Sequence, residues 1–405
     1  MKNILLLTPI YPAADIPKAN TPVVHYFAKE WVKMGYKVVV INYVVNFPDL
    51  FYRICRPFEM QLTSFFSSTI RTKPASEIKY NIDGVIVKRI PMLKFIPHSK
   101  YSNSVIKQAF KKTLMFCKEQ QFQPDCILAH WLNPQIQLIQ LLKHKYQVPS
   151  CLVFHDSGRD LKSIFKNKAD EYMNSVDAIG FRSEAIKKKF EKSFNYRKPN
   201  FYCYSGIPDD YILNYNYHRS FSIINSFIFV GTLIRRKYPA EIVTAVSKSF
   251  KNEKYQISFI GTGAEDKNIL KYAKKSGHLE RVSLLGRMYR DQVFRQLKQH
   301  DVFIMISKNE TYGLVYLEAM AVGCITIASK NQGFDGIIKN GINGFLCEAG
   351  NVKELTSIIN EIRLLDVDKL KDISNAAIKT ARQLTDSKVA ENYIKEIENI
   401  NLKSL

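Results

Sequence analysis

Short, uniformly apolar runs alternate along this chain with stretches whose apolar positions recur every three or four residues. The first run, Asn3–Leu7, is stopped by Thr8-Pro9. Thr21 then offers an N-cap with Pro22 at the first helical position, and Val23, Phe27 and Trp31 recur at i, i+4. Gly35 can close that helix, and Tyr36–Ile41 is a β-branched run, so the chain opens with a β–loop–α–β unit. Further apolar runs stand at Val85–Ile90, Asp125–Ala129, Cys151–Phe154, Asp177–Phe181 and Phe201–Tyr204. A second series begins at Phe227–Val230 and continues through Gln256–Ile260, Val282–Leu285, Val302–Ile306 and Ile325–Ala328. Strands that are apolar on both faces, separated by helices, predict parallel sheets covered on both sides.

Between the two series, Gly206–Ser226 carries Pro208, Asp209, Asp210 and several Asn and Tyr residues without periodicity, and reads as a link. From Asn351 the pattern is helical, with Thr385-Asp386-Ser387 as a cap before a final helix. The expected architecture is α/β: a Rossmann-like domain over residues 1–206, a second over 207–384, and a terminal helix, 385–405, packing back on the first domain. In such doubly wound sheets ligands sit at the carboxyl ends of the strands, so the cleft between the two domains is the expected binding place.

Composition narrows the class. The 405 residues are 46% hydrophobic and 24% charged, which excludes a disordered or collagen-like chain. No run approaches the roughly 18 apolar residues of a membrane span, and Ile4–Leu7 is too short for a signal-peptide core. The seven cysteines are scattered with no C-x-x-C pair, as expected of core thiols in a reducing, cytoplasmic compartment. Lys and Arg number 59 against 37 Asp and Glu, a net +22 that calls for an acidic partner or surface. Zinc-finger spacing, an RNP-type signature and a separate basic tail are all missing, so nucleic acid is not the expected partner. Lys187-Lys188-Lys189 reads as a solvated helix face. Asn46–Pro74 interleaves Phe47, Phe51, Tyr52, Phe58, Phe65 and Phe66 with Arg53, Arg56 and Arg71, which fits either an anionic membrane surface or core packing of an inserted helix.

The sharpest chemical signal is Ser307-Lys-Asn-Glu310-Thr-Tyr-Gly313-Leu-Val-Tyr-Leu-Glu318-Ala-Met-Ala-Val-Gly323. A helix opened by glycine after a strand points free N–H groups into a cleft and can hold an anion. Two carboxylates beside it suggest partners such as sugar hydroxyls, since burying them alone is costly. Glu318 taken by itself would read as an ordinary helix residue. Asp366-Val-Asp368 lies between helical segments and reads as a solvated connection, not a metal site. Gly261-Thr-Gly263 lacks the third glycine of a dinucleotide fingerprint.

Taken together, Glu310, the seven residues that follow, Glu318 and the later Asn340-Gly-Ile-Asn-Gly-Phe345 closely resemble the E-x7-E signature of retaining glycosyltransferases of the GT-B fold, especially their family 4. Phe229-Val-Gly-Thr-Leu-Ile-Arg-Arg-Lys237 resembles that family's phosphate loop, Ile260-Gly-Thr-Gly263 its next strand end, and Leu285-Gly286-Arg287 its base-binding turn. Leu128-Ala-His130-Trp131 and Val153-Phe-His155-Asp156 stand where the family keeps strand-end histidines, and Tyr204-Ser-Gly206-Ile-Pro208 resembles its step into the second domain.

The resemblance implies roles. Lys237 would contact the donor diphosphate, with Arg235 or Arg236 compensating for the arginine that Thr232 replaces. Backbone N–H groups of Gly313, Leu314 and Val315 would meet the donor sugar and phosphate. Glu310 would hold donor-sugar hydroxyls, Glu318 the ribose diol, and Arg287 would border the base through its main chain. His130 would face the transferred sugar, although a structural histidine capping a strand end fits that position equally well. Two departures stand out: the loop Thr8–Thr21 has no glycine, leaving Asn20 and Thr21 to substitute by side chain, and Gln332-Gly333-Phe334-Asp335-Gly336 replaces the usual Gly-Ile-Pro-Glu. The expected activity is metal-independent, retaining transfer from a nucleoside diphosphate sugar, UDP-linked by default, to a glycan or lipid-linked saccharide for a surface polysaccharide. The expected place of work is the inner face of the cytoplasmic membrane. A sugar-nucleotide epimerase of the same fold and a basic nucleic-acid- or membrane-binding protein with a relict pocket are the alternatives.

Overall fold

The computed structural model describes residues 2–15, 22–55, 73–96, 99–156, 158–213, 219–250 and 253–403. Asn20, Thr21, Arg56, Phe58, Phe65, Phe66 and Arg71, named above, lie outside the described residues.

The first series of strands is β1 (Asn3–Thr8), β2 (Lys37–Asn46), β3 (Ile78–Ile82), β4 (Val85–Leu93), β5 (Cys126–His130), β6 (Ser150–Phe154), β7 (Ala178–Phe181) and β8 (Asn200–Tyr202). They form one sheet in the order β3-β4-β2-β1-β5-β6-β7-β8. Every pairing is parallel except β3 with β4, a hairpin whose two-residue turn, Asp83-Gly84, has positive φ at both positions. Sequence periodicity passed over β3, although an Asp-Gly pair is the ordinary signal for such a turn. Helix Val23–Lys33 buries Phe27 and Trp31 as their spacing predicts, together with Val24 and Ala28, while Val23 is only partly buried and Pro22 is the N-cap instead of the first helical residue.

The second series is β9 (Ser226–Val230), β10 (Gln256–Ile260), β11 (Val282–Leu284), β12 (Val302–Ile304), β13 (Ile325–Ser329) and β14 (Phe345–Cys347). Their order, β11-β10-β9-β12-β13-β14, is fully parallel. Strand order therefore reverses between β9 and β12, as it does in the first sheet between β1 and β5. Loops leaving the two strands at a reversal diverge to opposite faces and open a crevice.

The Gly206–Ser226 stretch differs from the aperiodic link expected. It contains a helical turn, Asp210–Leu213, and Arg219 is buried in the second domain, donating to the carbonyls of Val322 (3.2 Å) and Lys298 (3.3 Å). A buried guanidinium satisfied by backbone carbonyls leaves no sequence period to detect. The chain crosses between domains twice, side by side: Ile207 pairs with Thr385, and a Cβ on Gly206 would stand 2.4 Å from the Asp386 nitrogen. Beyond that crossing, helix Asp386–Lys403 lies on the first domain, where Trp31 Nε1 donates to the Ala390 carbonyl (2.9 Å) and Tyr393 meets Phe27 and Trp31 edge-on.

Candidate active site

At the carboxyl end of β9 the chain turns through Gly231 (φ 151°), and a Cβ there would stand 2.9 Å from Lys237 Nζ. Glycine thus makes the room in which the Lys237 side chain lies. The loop is locked to the one after β10: Gly231 N–H donates to Ile260 O (2.8 Å), Leu233 N–H to Thr262 O (3.1 Å) and Glu265 N–H to Leu233 O (2.9 Å). The approach is so close that a Cβ on Gly261 (φ 135°) would meet Gly231 O at 2.0 Å, and one on Gly263 would meet Leu233 O at 2.1 Å. Gly261→Ala should therefore push the two loops apart and cost about 1–3 kcal/mol of stability. A denaturant midpoint unchanged from the parent would show that the loops are not locked in this way.

Lys237 Nζ lies 3.6 Å from Glu310 Oε2, and Arg236 Nη1 lies 3.7 Å from the same oxygen. Arg235 turns the other way and pairs with Glu241 on the surface, so Arg236 is the arginine that the loop brings to Glu310. Burial pulls the Lys237 pKa down and the Glu310 charge pulls it up, with the first effect the larger. Among the described residues, buried Glu310 Oε2 has no hydrogen-bond partner: both cations stand near it, neither in bonding contact.

Glu310 is fixed from behind. Its N–H donates to Gln332 Oε1 (3.2 Å), and its carbonyl accepts from Gly333 N–H (2.9 Å). Gln332 heads the loop that departs from the family sequence, so its role was not readable from the motif. Three residues on, Gly313 (φ 83°) is the N-cap of helix Leu314–Ala321 and offers no capping side chain. The first N–H groups of that helix, at Leu314 and Val315, have no intrahelical acceptor and face the crevice side of the sheet with the positive end of the helix. Arg287, on the turn after β11, is exposed.

Glu318 is 7% exposed on the same helix, and its Oε1 accepts from Arg290 Nε at 2.6 Å. Arg290 was not singled out by spacing, because the contact joins two helices that are local neighbours only in the folded chain.

The first domain supplies the opposite wall. His130 ends β5 with no exposed surface; its Nδ1 is 3.0 Å from His155 Nε2, and its own buried Nε2 has no partner among the described residues. Burial and the nearby Arg182 charge hold both imidazoles well below their usual pKa, so both are neutral at pH 7. His155, to which the resemblance gave no separate role, is the more accessible of the pair and stacks on Trp131 with centroids 3.8 Å apart. The His155 carbonyl accepts from Thr311 Oγ1 (3.1 Å), which ties this wall to the residue next to Glu310, and Tyr312 OH donates to Ser205 O (2.8 Å). The structure thus brings Arg236, Lys237, Glu310, Gly313, Leu314 and Val315 together. It sets Glu318 one helical turn deeper and places His130 behind His155. Among the described residues no group of three His, Cys, Asp or Glu is arranged to hold a metal ion.

Residues 222–380 match the family described as Glycosyl transferases group 1. The matched segment lies within the second domain. An uncharacterized glycosyltransferase of Methanocaldococcus jannaschii is 27% identical over 241 residues, 59% of this chain and 65% of that protein. The Escherichia coli UDP-Gal:alpha-D-GlcNAc-diphosphoundecaprenol alpha-1,3-galactosyltransferase is 32% identical over 154 residues, 37% of this chain and 39% of that protein. The matched segments thus span less than two thirds of either relative's length. Among solved structures, Anabaena HepE in complex with UDP and glucose is similar over 100% of both chains, with a TM-score of 0.66 at 17% identity. That likeness extends the GT-B fold to the first domain, outside the matched family segment.

Proposed function

We propose that the chain is a retaining glycosyltransferase that moves a sugar from a UDP-sugar to a glycan or lipid-linked saccharide in surface polysaccharide synthesis. The observation that carries this reading is the cluster at the β9–β12 reversal. Two cations, Lys237 and Arg236, flank an incompletely bonded carboxylate, Glu310, beside the uncapped N-terminus of helix Leu314–Ala321. Cations and a helix N-terminus suit a diphosphate; a carboxylate short of hydrogen bonds suits sugar hydroxyls. In this reading Lys237 and Arg236, not a metal ion, neutralise the departing diphosphate, whose oxygen takes the acceptor proton on the face where the acceptor arrives. UDP as the base carrier and a lipid-linked acceptor are supported by the names of the relatives above. Thermal shift and acceptor-free hydrolysis across UDP-, GDP- and ADP-sugars test the donor, and NMR of the product anomer tests retention. Turnover of the donor to an epimer with no acceptor would replace this reading with an epimerase, and turnover abolished by EDTA would remove the metal-independent part.

The same proposal places the enzyme at the inner face of the cytoplasmic membrane. Among the described residues no helix is long and apolar enough to cross a bilayer. Beyond the paired ends of β2 and β4, however, Leu50, Ile54, Phe95 and Ile96 are each at least 60% exposed, with Arg53 and Lys100 also exposed. Apolar side chains ringed by cations fit an anionic interface, where each Lys or Arg contributes about 1 kcal/mol. The protein should sediment with anionic vesicles, far less with neutral ones, and be partly released by high salt. Replacing Arg53, Arg56 and Arg71 with Ser should weaken this binding and leave donor hydrolysis unchanged. Indifference to anionic vesicles at low salt would point to a soluble acceptor.

A further inference from the structure

Glu318 is nearly inaccessible, and burial pushes its pKa up while Arg290 pulls it back down. The Arg290 bond uses Oε1, and among the described residues Oε2 has no hydrogen-bond partner. Arg290 is itself held from three directions. Its guanidinium lies over the ring of Tyr26, from the first domain, at 5.4 Å and over that of Tyr211, from the interdomain crossing, at 5.5 Å. Tyr211 is fixed in turn by stacking on Phe294 at 3.8 Å and by donating to Asp291 Oδ1 at 3.2 Å. Arg290 therefore cannot swing away without leaving two rings.

A carboxylate that must meet a vicinal diol gains by having one oxygen clamped and the other presented, because its rotation is then settled before the ligand arrives. We infer that Arg290 is the positioning residue of the nucleotide site: it clamps Glu318 so that the free oxygen meets the ribose hydroxyls, and through Tyr26 it makes that clamp depend on the first domain. This rests on Glu318 being the ribose contact, and it assigns to Arg290 the discrimination between ribose and sugars lacking those hydroxyls. The side chain touches Glu318 and the two rings, and it acts on the ligand through Glu318.

The test measures affinity by calorimetry for whichever of UDP, GDP and ADP binds tightest and for its 2′,3′-dideoxy counterpart. The ratio of the two affinities is compared across the parent, Glu318→Gln, Arg290→Gln and Arg290→Lys. A hydrogen bond to a charged group is worth about 10- to 100-fold in affinity, which sets the parent ratio. The expected result is a ratio near one in Glu318→Gln and in Arg290→Gln, with partial recovery in Arg290→Lys, which keeps the charge but loses the planar fork. A collapsed ratio in Glu318→Gln alongside an unchanged one in Arg290→Gln would overturn the role of Arg290 and leave the ribose contact standing. An unchanged ratio in Glu318→Gln would overturn the ribose contact itself, and the role of Arg290 with it. If Arg290→Gln does not fold, Arg290→Lys decides: a parental ratio there overturns the clamp, and a reduced one supports it.

Discussion

A folded Lys237→Ala protein should transfer sugar about 100- to 1,000-fold more slowly than the parent, in line with the loss of one preorganised group from a site of developing charge. The side chain is 13% exposed and occupies the space that Gly231 leaves open, 3.6 Å from Glu310. In the proposed reading its charge faces the departing diphosphate, so its loss should fall mainly on kcat, with a smaller loss in diphosphate affinity. Arg236 stands beside the same oxygen but is 43% exposed, and water screens much of its field. It can supply the residual rate, not the whole. The fold should survive, because Lys237 lies on a crevice loop outside either hydrophobic core and its removal leaves, besides Glu310, only the weak thioether acceptor Met305 Sδ at 3.5 Å without it. Steady-state kinetics with saturating donor checks this, with circular dichroism as the control for folding. Near-parental kcat in a folded Lys237→Ala protein would remove the phosphate-loop assignment.

What could be read from the chain beforehand was what local chemistry writes locally. Both sheets were visible because parallel strands buried on two faces leave continuous apolar runs. The Glu310-to-Glu318 spacing was visible because Glu310, the N-cap Gly313 and Glu318 follow one another on a single short segment. The hidden part of the site is made by contacts between distant segments. Arg290 meets Glu318 across two helices and Tyr26 across two domains, and nothing in the sequence near Arg290 distinguishes it from the exposed basic residues around it. Gln332 supports Glu310 from a loop whose sequence departs from the family, so the motif pointed away from it. The two histidines illustrate a further limit. Each follows an apolar run in the sequence, but His130 closes β5 in register with Val153, whereas His155 stands one residue beyond the end of β6 and is the more accessible. Side-chain depth at a strand end is set by what packs over it, here Phe27 and Tyr393.

Replacing Glu310 with Gln should give the opposite signature from replacing Glu318. Glutamine keeps the size and the hydrogen-bonding shape but removes the negative charge that Lys237 and Arg236 now face at 3.6 and 3.7 Å. Free diphosphate should therefore bind Glu310→Gln as tightly as the parent or more tightly, since two cations are released from competition with a carboxylate. Transfer should nonetheless fall about 100-fold or more, because the charged acceptor for the donor-sugar hydroxyls is gone and charge-assisted bonds are roughly twice as strong as neutral ones. The pH profile supplies an independent check. In the proposed reading Lys237 serves the diphosphate only when protonated; burial already lowers its pKa and Glu310 partly restores it. Without that carboxylate the pKa falls further, so the proton is lost at lower pH and the alkaline limb of kcat/KM, which reports the free enzyme, should move down. A variant that lost diphosphate affinity in parallel with its rate would place Glu310 among the groups that merely hold the nucleotide. An alkaline limb left in place would mean that Glu310 and Lys237 do not share a field, and the central pairing of this site would have to be redrawn.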